Sequence, residues 1–334
     1  MADEGRRLHH PPSDADWLDA AARLALRARP MSRPNPAVGA IIVKDGRVLG
    51  RGWTQPGGRP HAEAMALAQA SEGARGAAAY VTLEPCAHDS PRGPCCADAL
   101  VEAGVARVVA GVRDPDPRTA GRGLARLADA GIAAECADHP ASRHSLAGYL
   151  TRRERGRPHV TLKLATSLDG ATAPADGAGR WITGEPARAH VHARRALADA
   201  ILVGGGTWRS DSPRLDVRLP GLASRSPERW VLSRGPVDGA QVIAAPGRIA
   251  EMAGVQYLYV EGGAEAAAAF LAADLVDRLE LYTAPILIGA RQSAIADLGI
   301  GDVATAHGRW RLAERRQLGS DIFTAYERVR CSPA

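Results

Sequence analysis

The chain has 334 residues, of which 46% are hydrophobic, 24% charged and 4% aromatic, and its formal charge is +5. This length suggests two domains, and the balance is that of a globular protein rather than a disordered or fibrous one. The basic residues are scattered with no long run, which permits anionic small ligands and argues against nucleic acid. The charged start is not followed by an apolar segment, and no apolar run approaches the length of about 18 residues that a membrane span needs, so neither a signal peptide nor a span is expected. The cysteines are Cys86, Cys95, Cys96, Cys136 and Cys331. An odd count with two adjacent members fits a reducing cytoplasm and a metal or reactive site better than a disulfide framework.

Apolar spacing predicts a helix over 17–27. Two strands follow, 37–43 and 47–50, and Asp45-Gly46 between them is a hairpin signal. A helix over 61–70, a strand over 78–83, a helix over 95–103 and a strand over 106–112 come next. A helix over 123–130 and a strand over 132–136 continue the alternation, which argues for a layered α/β domain. After a helical stretch over 141–150, the polar run Arg152-Arg-Glu-Arg-Gly-Arg-Pro158 reads as the domain boundary. This places one domain at 13–150 and a second at 156–330. The second opens with a strand over 159–165, then a helix over 185–197. Strands over 200–203 and 256–260 both end in glycines, and a helix over 264–272 follows the later one. Runs over 279–288 and 322–329 read as strands of a final hairpin-like pair.

The strongest chemical signal is His61-Ala-Glu63 followed by Pro85-Cys86 and Pro94-Cys95. One imidazole and two thiols suit tetrahedral zinc with an open fourth position, the arrangement of a catalytic site. Zinc lowers the pKa of bound water to about 7. A glutamate two residues from the ligand histidine can shuttle the proton from that water to a departing amine, and this combination is the signature of zinc nucleobase deaminases. On this reading His61, Cys86 and Cys95 hold one zinc ion, Glu63 is catalytic, and Cys96 is a small buried residue of the helix. The eight residues between Cys86 and Cys95 carry His88 and Arg92, both able to meet an anion, and this spacing departs from the Pro-Cys-x-x-Cys of nucleic-acid editors.

Asn35-Pro-Ala-Val-Gly39, His61-Ala-Glu63, Thr82-Leu-Glu-Pro-Cys-Ala-His88, Pro94-Cys-Cys96 and Asp114-Pro-Asp-Pro117 with Ala120-Gly-Arg-Gly123 resemble the bifunctional deaminase–reductase family of riboflavin biosynthesis. The resemblance covers nearly the whole chain. It implies a cytidine-deaminase-like three-layer α/β domain, with Asn35 and His88 near the pyrimidine or its phosphate. One departure is the loop Ser90-Pro-Arg-Gly-Pro94, where the family usually has Gly-Arg-Thr-Pro-Pro.

In the second half the glycines of Val203-Gly-Gly-Gly-Thr207 and Val260-Glu-Gly-Gly263 either hold phosphates through backbone N–H groups or only allow tight strand exits. No Gly-x-Gly-x-x-Gly occurs, so a standard dinucleotide fold is not expected. Lys163-Leu-Ala-Thr-Ser-Leu-Asp-Gly170, Trp181-Ile-Thr183 and Thr207–Arg218 resemble the reductase half of the same family, which is similar to dihydrofolate reductase in fold. That resemblance implies NADPH as cofactor, with Ala165, Trp181, Thr207, Asp211, Ser233 (or Arg234) and Gly263 at the cofactor. It implies Gly179, Arg195, Leu215, Arg218 and Glu261 at the substrate, with Arg195 and Arg218 clamping its phosphate. Gly179 stands where a serine is usual, and Ser212 where a second Asp is common.

The reading is therefore a homo-oligomeric enzyme acting on a small phosphorylated pyrimidine, first by zinc-dependent deamination and then by NADPH-dependent reduction of the ribosyl group. A deaminase whose second domain only binds or oligomerises is the alternative. An editing deaminase, suggested by the basic charge, is disfavoured by the long cysteine loop and the scattered arginines.

Overall fold

The computed structural model describes residues 11–88, 93–173, 181–289 and 292–330. The chain divides into two compact units, Met1–Glu154 and Arg155–Ala334.

The first unit opens with α1 (Asp14–Ala25), started by a reciprocal cap. The Ser13 hydroxyl accepts from the Asp16 amide while the Asp16 carboxylate accepts from the Ser13 amide. Strands β1 (Gly39–Lys44) and β2 (Arg47–Trp53) form the expected hairpin, with Asp45 and Gly46 both at positive φ in its turn. Then come α2 (Ala62–Ala70), β3 (Ala78–Val81), α3 (Cys96–Glu102), β4 (Arg107–Ala110), α4 (Arg122–Asp129), β5 (Ala133–Cys136), α5 (Pro140–Ser145) and α6 (Ala147–Arg155). The sheet order is β2-β1-β3-β4-β5, antiparallel at β2-β1-β3 and parallel from β3 to β5.

Alternation along β1 sorts the two faces. Ile41 and Val43 pack with Leu18 and Ala21 of α1, whereas Ala40 and Ile42 pack with Ala62 and Ala66 of α2 and Leu100 of α3. The unit is therefore three layers, helix on sheet on helix. Small residues set how close the layers come: a Cβ on Gly52 of β2 would lie 1.9 Å from the Ala62 carbonyl oxygen, so only glycine lets the start of α2 rest on the strand.

The second unit contains β6 (His159–Thr166), β7 (Ala171–Ala173), α7 (Glu185–Arg195), β8 (Ala200–Gly204), α8 (Gly205–Asp211), β9 (Glu228–Leu232), β10 (Gln241–Ile243), β11 (Tyr257–Val260), α9 (Ala264–Ala272), β12 (Arg278–Thr283), β13 (Gln292–Ser293), β14 (Trp310–Leu318) and β15 (Asp321–Arg328). Its main sheet runs β10-β9-β8-β11-β6-β12-β15-β14, parallel as far as β12 and antiparallel beyond. Val160, Leu162, Leu202 and Val260 face α9 and its buried Phe270. Ile201, Val203 and Tyr259 face Ala187 and Val191 of α7.

The division between the two units falls inside the polar run 152–158, and α6 extends into that run as far as Arg155. Two expectations differ from the observed fold. The 279–288 strand stops at Thr283. Strands β12 and β15 do pair antiparallel, but the tight hairpin joins β14 to β15 through the turn between Leu318 and Asp321.

Candidate functional site

In the first unit, three elements converge. His61 is the extended residue preceding α2, and Glu63 lies in the first helical turn with its side chain buried. Cys86 follows β3 in the loop that carries Glu84. The Glu84 carboxylate is buried and accepts from four backbone amides, those of Asp114, Gly121, Gly123 and Leu124, at 3.0–3.2 Å. That loop is pressed against the start of α4, where a Cβ on Gly123 would lie 1.9 Å from the Pro85 carbonyl oxygen. Cys86 is thus held by a strand end on one side and a helix start on the other.

The third element, α3, brings Cys96 rather than the expected Cys95 nearest to these donors. Cys96 Sγ lies 3.1 Å from His61 Nδ1, and Cys86 Sγ lies 3.6 Å from the same nitrogen. The Cys96 amide also donates to Cys86 Sγ at 3.2 Å. Donor atoms of His61, Cys86 and Cys96 all lie within 4.8 Å of one another. Cys95, the expected third ligand, is not in this group. It is the extended residue before α3, and its sulfur sits beside Arg126 Nη1 at 3.6 Å.

Charge in this cluster is strongly coupled. The hydrogen bond from the Cys96 thiol pulls the Cys86 thiol down to about 4, and the same bond with burial raises Cys96 well above its ordinary value. The contact with Cys86 raises His61. Burial raises Glu63, whose carboxyl also meets the Cys96 thiol. One imidazole nitrogen and two sulfurs at these separations fit zinc, with a carboxyl group alongside for proton transfer. Asn35 donates from Nδ2 to the Gly58 carbonyl at 3.1 Å. His88 keeps a buried Nδ1 with no hydrogen-bond partner among the described residues. Arg92 lies outside the described residues.

In the second unit, a cavity of about 650 Å³ is lined by Lys163, Ala165, Trp181, Arg195, Arg218 and Glu261, among others. Arg195 forks onto Glu261 through Nε and Nη2 at 2.6 and 2.9 Å and donates Nη1 to the Asp216 carbonyl at 3.0 Å. Glu261 is held below the usual carboxylate range by Arg195 against its burial, with Lys163 Nζ 3.9 Å away. Arg195 therefore fixes an ionised Glu261 instead of offering an open fork. Arg218 is nearly half exposed, and its Nε approaches His192 Nε2 at 3.3 Å, leaving it the more available guanidinium. Arg188 lies over the exposed Trp181 ring at 5.3 Å. Sequence reasoning missed Lys163, Arg188 and His192 as lining residues.

Thr207, Ser233 and Gly263 follow the carboxyl ends of β8, β9 and β11, and Ala165 lies near that of β6, where open α/β sheets bind ligands. Thr207 and Gly263 adjoin, since a Cβ on Gly263 would stand 3.1 Å from Thr207 Oγ1. Ser233 flanks Gly205 in the same way at 3.6 Å, and Gly263 opens α9. These bare helix starts and the adjacent hydroxyls fit the phosphates of a dinucleotide. Asp211 ends α8, exposed, with its carboxylate accepting from Ser210. Leu215 is buried in the core and is not among the residues lining the cavity. Gly179 lies outside the described residues.

Both halves of the chain have counterparts among known proteins. Residues 11–112 match the family model of the cytidine and deoxycytidylate deaminase zinc-binding region, and residues 158–243 and 248–324 match the RibD C-terminal domain. The riboflavin biosynthesis protein RibD of Escherichia coli K12 is 38% identical, spanning 92% of this chain and 98% of that one. RibD of Mycobacterium tuberculosis H37Rv is also 38% identical, over 92% and 96%. Among solved structures, Acinetobacter baumannii RibD matches with a TM-score of 0.83 and 34% identity, covering 95% of this chain and 99% of that one. The Thermotoga maritima enzyme titled diaminohydroxyphosphoribosylaminopyrimidine deaminase/5-amino-6-(5-phosphoribosylamino)uracil reductase gives 0.82 and 28% over 95% and 99%. The chain belongs to the RibD family, the bifunctional enzymes of riboflavin biosynthesis that join a zinc-binding deaminase domain to an NADPH-dependent reductase domain.

Proposed function

We propose that the domain at 13–150 hydrolytically deaminates 2,5-diamino-6-(5-phosphoribosylamino)pyrimidin-4-one, and that the domain at 156–330 reduces the ribosyl group of the product to give 5-amino-6-(5-phosphoribitylamino)uracil. The observation that carries the first step is the buried Glu63 carboxyl beside the His61, Cys86 and Cys96 donors. Zinc, when bound there, supplies the Lewis acidity that makes hydroxide available near neutral pH. His61 and the thiolates of Cys86 and Cys96 would hold it, with Cys95 directly before the start of α3. Glu63 takes a proton from the attacking water and returns it to the leaving amine nitrogen. Asn35 and His88 orient the pyrimidine and its phosphate.

In the second domain NADPH supplies the hydride. Ala165, Trp181, Thr207, Asp211, Ser233 and Gly263 position the cofactor. Arg218 meets the substrate phosphate, with Gly179 and the Leu215 backbone beside it, while Arg195 locks Glu261 for contact with the sugar. Orientation of the sugar carbon against the nicotinamide is the main task of these residues. We place the enzyme in the cytoplasm as a homo-oligomer, without nucleic-acid or membrane partners. Among the described residues no helix is long and apolar enough to cross a membrane.

Glu63→Gln is the decisive variant. It is expected to keep zinc and lose deamination by about 10²-fold or more, the scale of general acid–base catalysis. Full ammonia release from the zinc-loaded variant would exclude Glu63 as the proton carrier.

A further inference from the structure

A second cavity in the reductase unit, about 570 Å³, shares no lining residue with the first. It is lined by Arg155, Asp274, His307, Arg309, Arg328 and Arg330 with short backbone segments between them. Four guanidiniums thus face one lining carboxylate. Asp274 accepts from Arg328 Nε at 2.9 Å and from Arg330 Nη1 at 3.3 Å, with Arg309 Nη2 at 3.9 Å. The neighbouring Asp277 is mostly committed elsewhere, since Arg157 holds both of its oxygens at 2.7 and 2.9 Å.

The arginines divide into two kinds. Arg328 is fixed in place, donating Nη1 to the carbonyls of Arg309 and Val329 at 3.0 and 2.8 Å. Arg330 is anchored on Asp274 and Asp277. Among the described residues, the Arg155 and Arg309 side chains make only the long ion-pair contacts of 3.4 and 3.9 Å, and they are 40% and 41% exposed. Arg155 is the first residue of the second unit, and Arg309 directly precedes β14, which pairs with β15 at Trp310 and Arg328. Burial lowers Arg330 from its ordinary value, and Arg155 and Arg157 act in the same direction.

We propose that this cavity is a binding site for a small phosphate-bearing anion, separate from the reductase pocket. Planar guanidinium forks bind phosphate oxygens two at a time, and fixed arginines lose little freedom in doing so. The volume lies within the range of small-molecule sites, and the unbalanced positive charge selects an anion.

The test is calorimetric titration of the full-length, zinc-loaded enzyme with inorganic pyrophosphate, inorganic phosphate and ADP. Pyrophosphate is expected to bind, and to keep binding in Arg218→Ala, which alters only the reductase pocket. Arg155→Ala and Arg309→Ala are each expected to weaken it about tenfold, the loss of one charge-assisted contact. Reductase turnover in both variants should match wild type, which confirms the fold. Tighter binding of ADP than of pyrophosphate would identify a nucleotide as the source of the phosphate, and equal binding a free phosphate. Absence of binding by all three anions, or binding unchanged in the Arg155→Ala/Arg309→Ala double variant, would overturn the proposal.

Discussion

Asp277 offers the most quantitative prediction. Its buried carboxylate takes a two-pronged contact from Arg157 and the Val160 amide at 2.9 Å, so it ties the connection before β6 to the start of β12. Arg157 and the Val160 amide hold it down at about 2, against an ordinary 3.8 and despite its burial. A lowering of that size corresponds to roughly 2.5 kcal/mol of stability. Because the folded-state value is depressed, this contribution is complete above pH 4 and is lost as pH falls towards 2. Asp277→Asn removes the charge and leaves Arg157 buried without its partner, which costs about 3–5 kcal/mol at neutral pH. Denaturant titrations of both proteins at pH 7 and pH 3 check this, with hydrogen exchange of the β6 and β12 peptides reporting the second unit separately. The gap between variant and wild type should narrow at the lower pH. A gap that does not change with pH, or one under about 0.5 kcal/mol at pH 7, would refute the pairing as the source of stability.

Other expectations concern the two sites. Cys96→Ser should strip zinc from the first domain while Cys95→Ser retains it, measured as metal per chain after gel filtration; the reverse pattern would restore Cys95 as the ligand. Removing zinc with a chelator should abolish ammonia release and leave NADPH oxidation by the second domain intact, as assayed with pre-deaminated substrate. Glu84→Gln replaces a carboxylate that accepts four amides, and should cost about 1.5–3 kcal/mol by urea midpoint. Arg195→Lys cannot fork onto Glu261, so kcat/KM of the reductase should fall at least about tenfold while ammonia release is unchanged.

Much of this architecture is legible in the sequence because single features carried it. Asp45-Gly46 fixes a hairpin, and the runs at 200–203 and 257–260 are too apolar for anything but central parallel strands. What escaped has physical reasons. Strand β14 is an edge strand whose charged residues face solvent, so it lacks the apolar alternation that marks a half-buried strand. Cys95 and Cys96 are adjacent, and nothing in the local sequence shows that the Cys96 sulfur lies within 3.1 Å of His61 Nδ1. Arg195 and Glu261 are 66 positions apart, and nothing local shows that one satisfies the other. Glu84 sits inside a recognisable motif, yet its work as a collector of four amides depends on segments that return 30 and 37 residues later.

The most direct test is a single reaction containing the zinc-loaded chain, NADPH and 2,5-diamino-6-(5-phosphoribosylamino)pyrimidin-4-one, followed for ammonia and for NADPH oxidation. The account predicts ammonia first and an equal amount of NADPH consumed after it, with Glu63→Gln blocking both and deaminated substrate restoring NADPH consumption alone. Ammonia without NADPH consumption, by a chain that is folded in both domains, would contradict it.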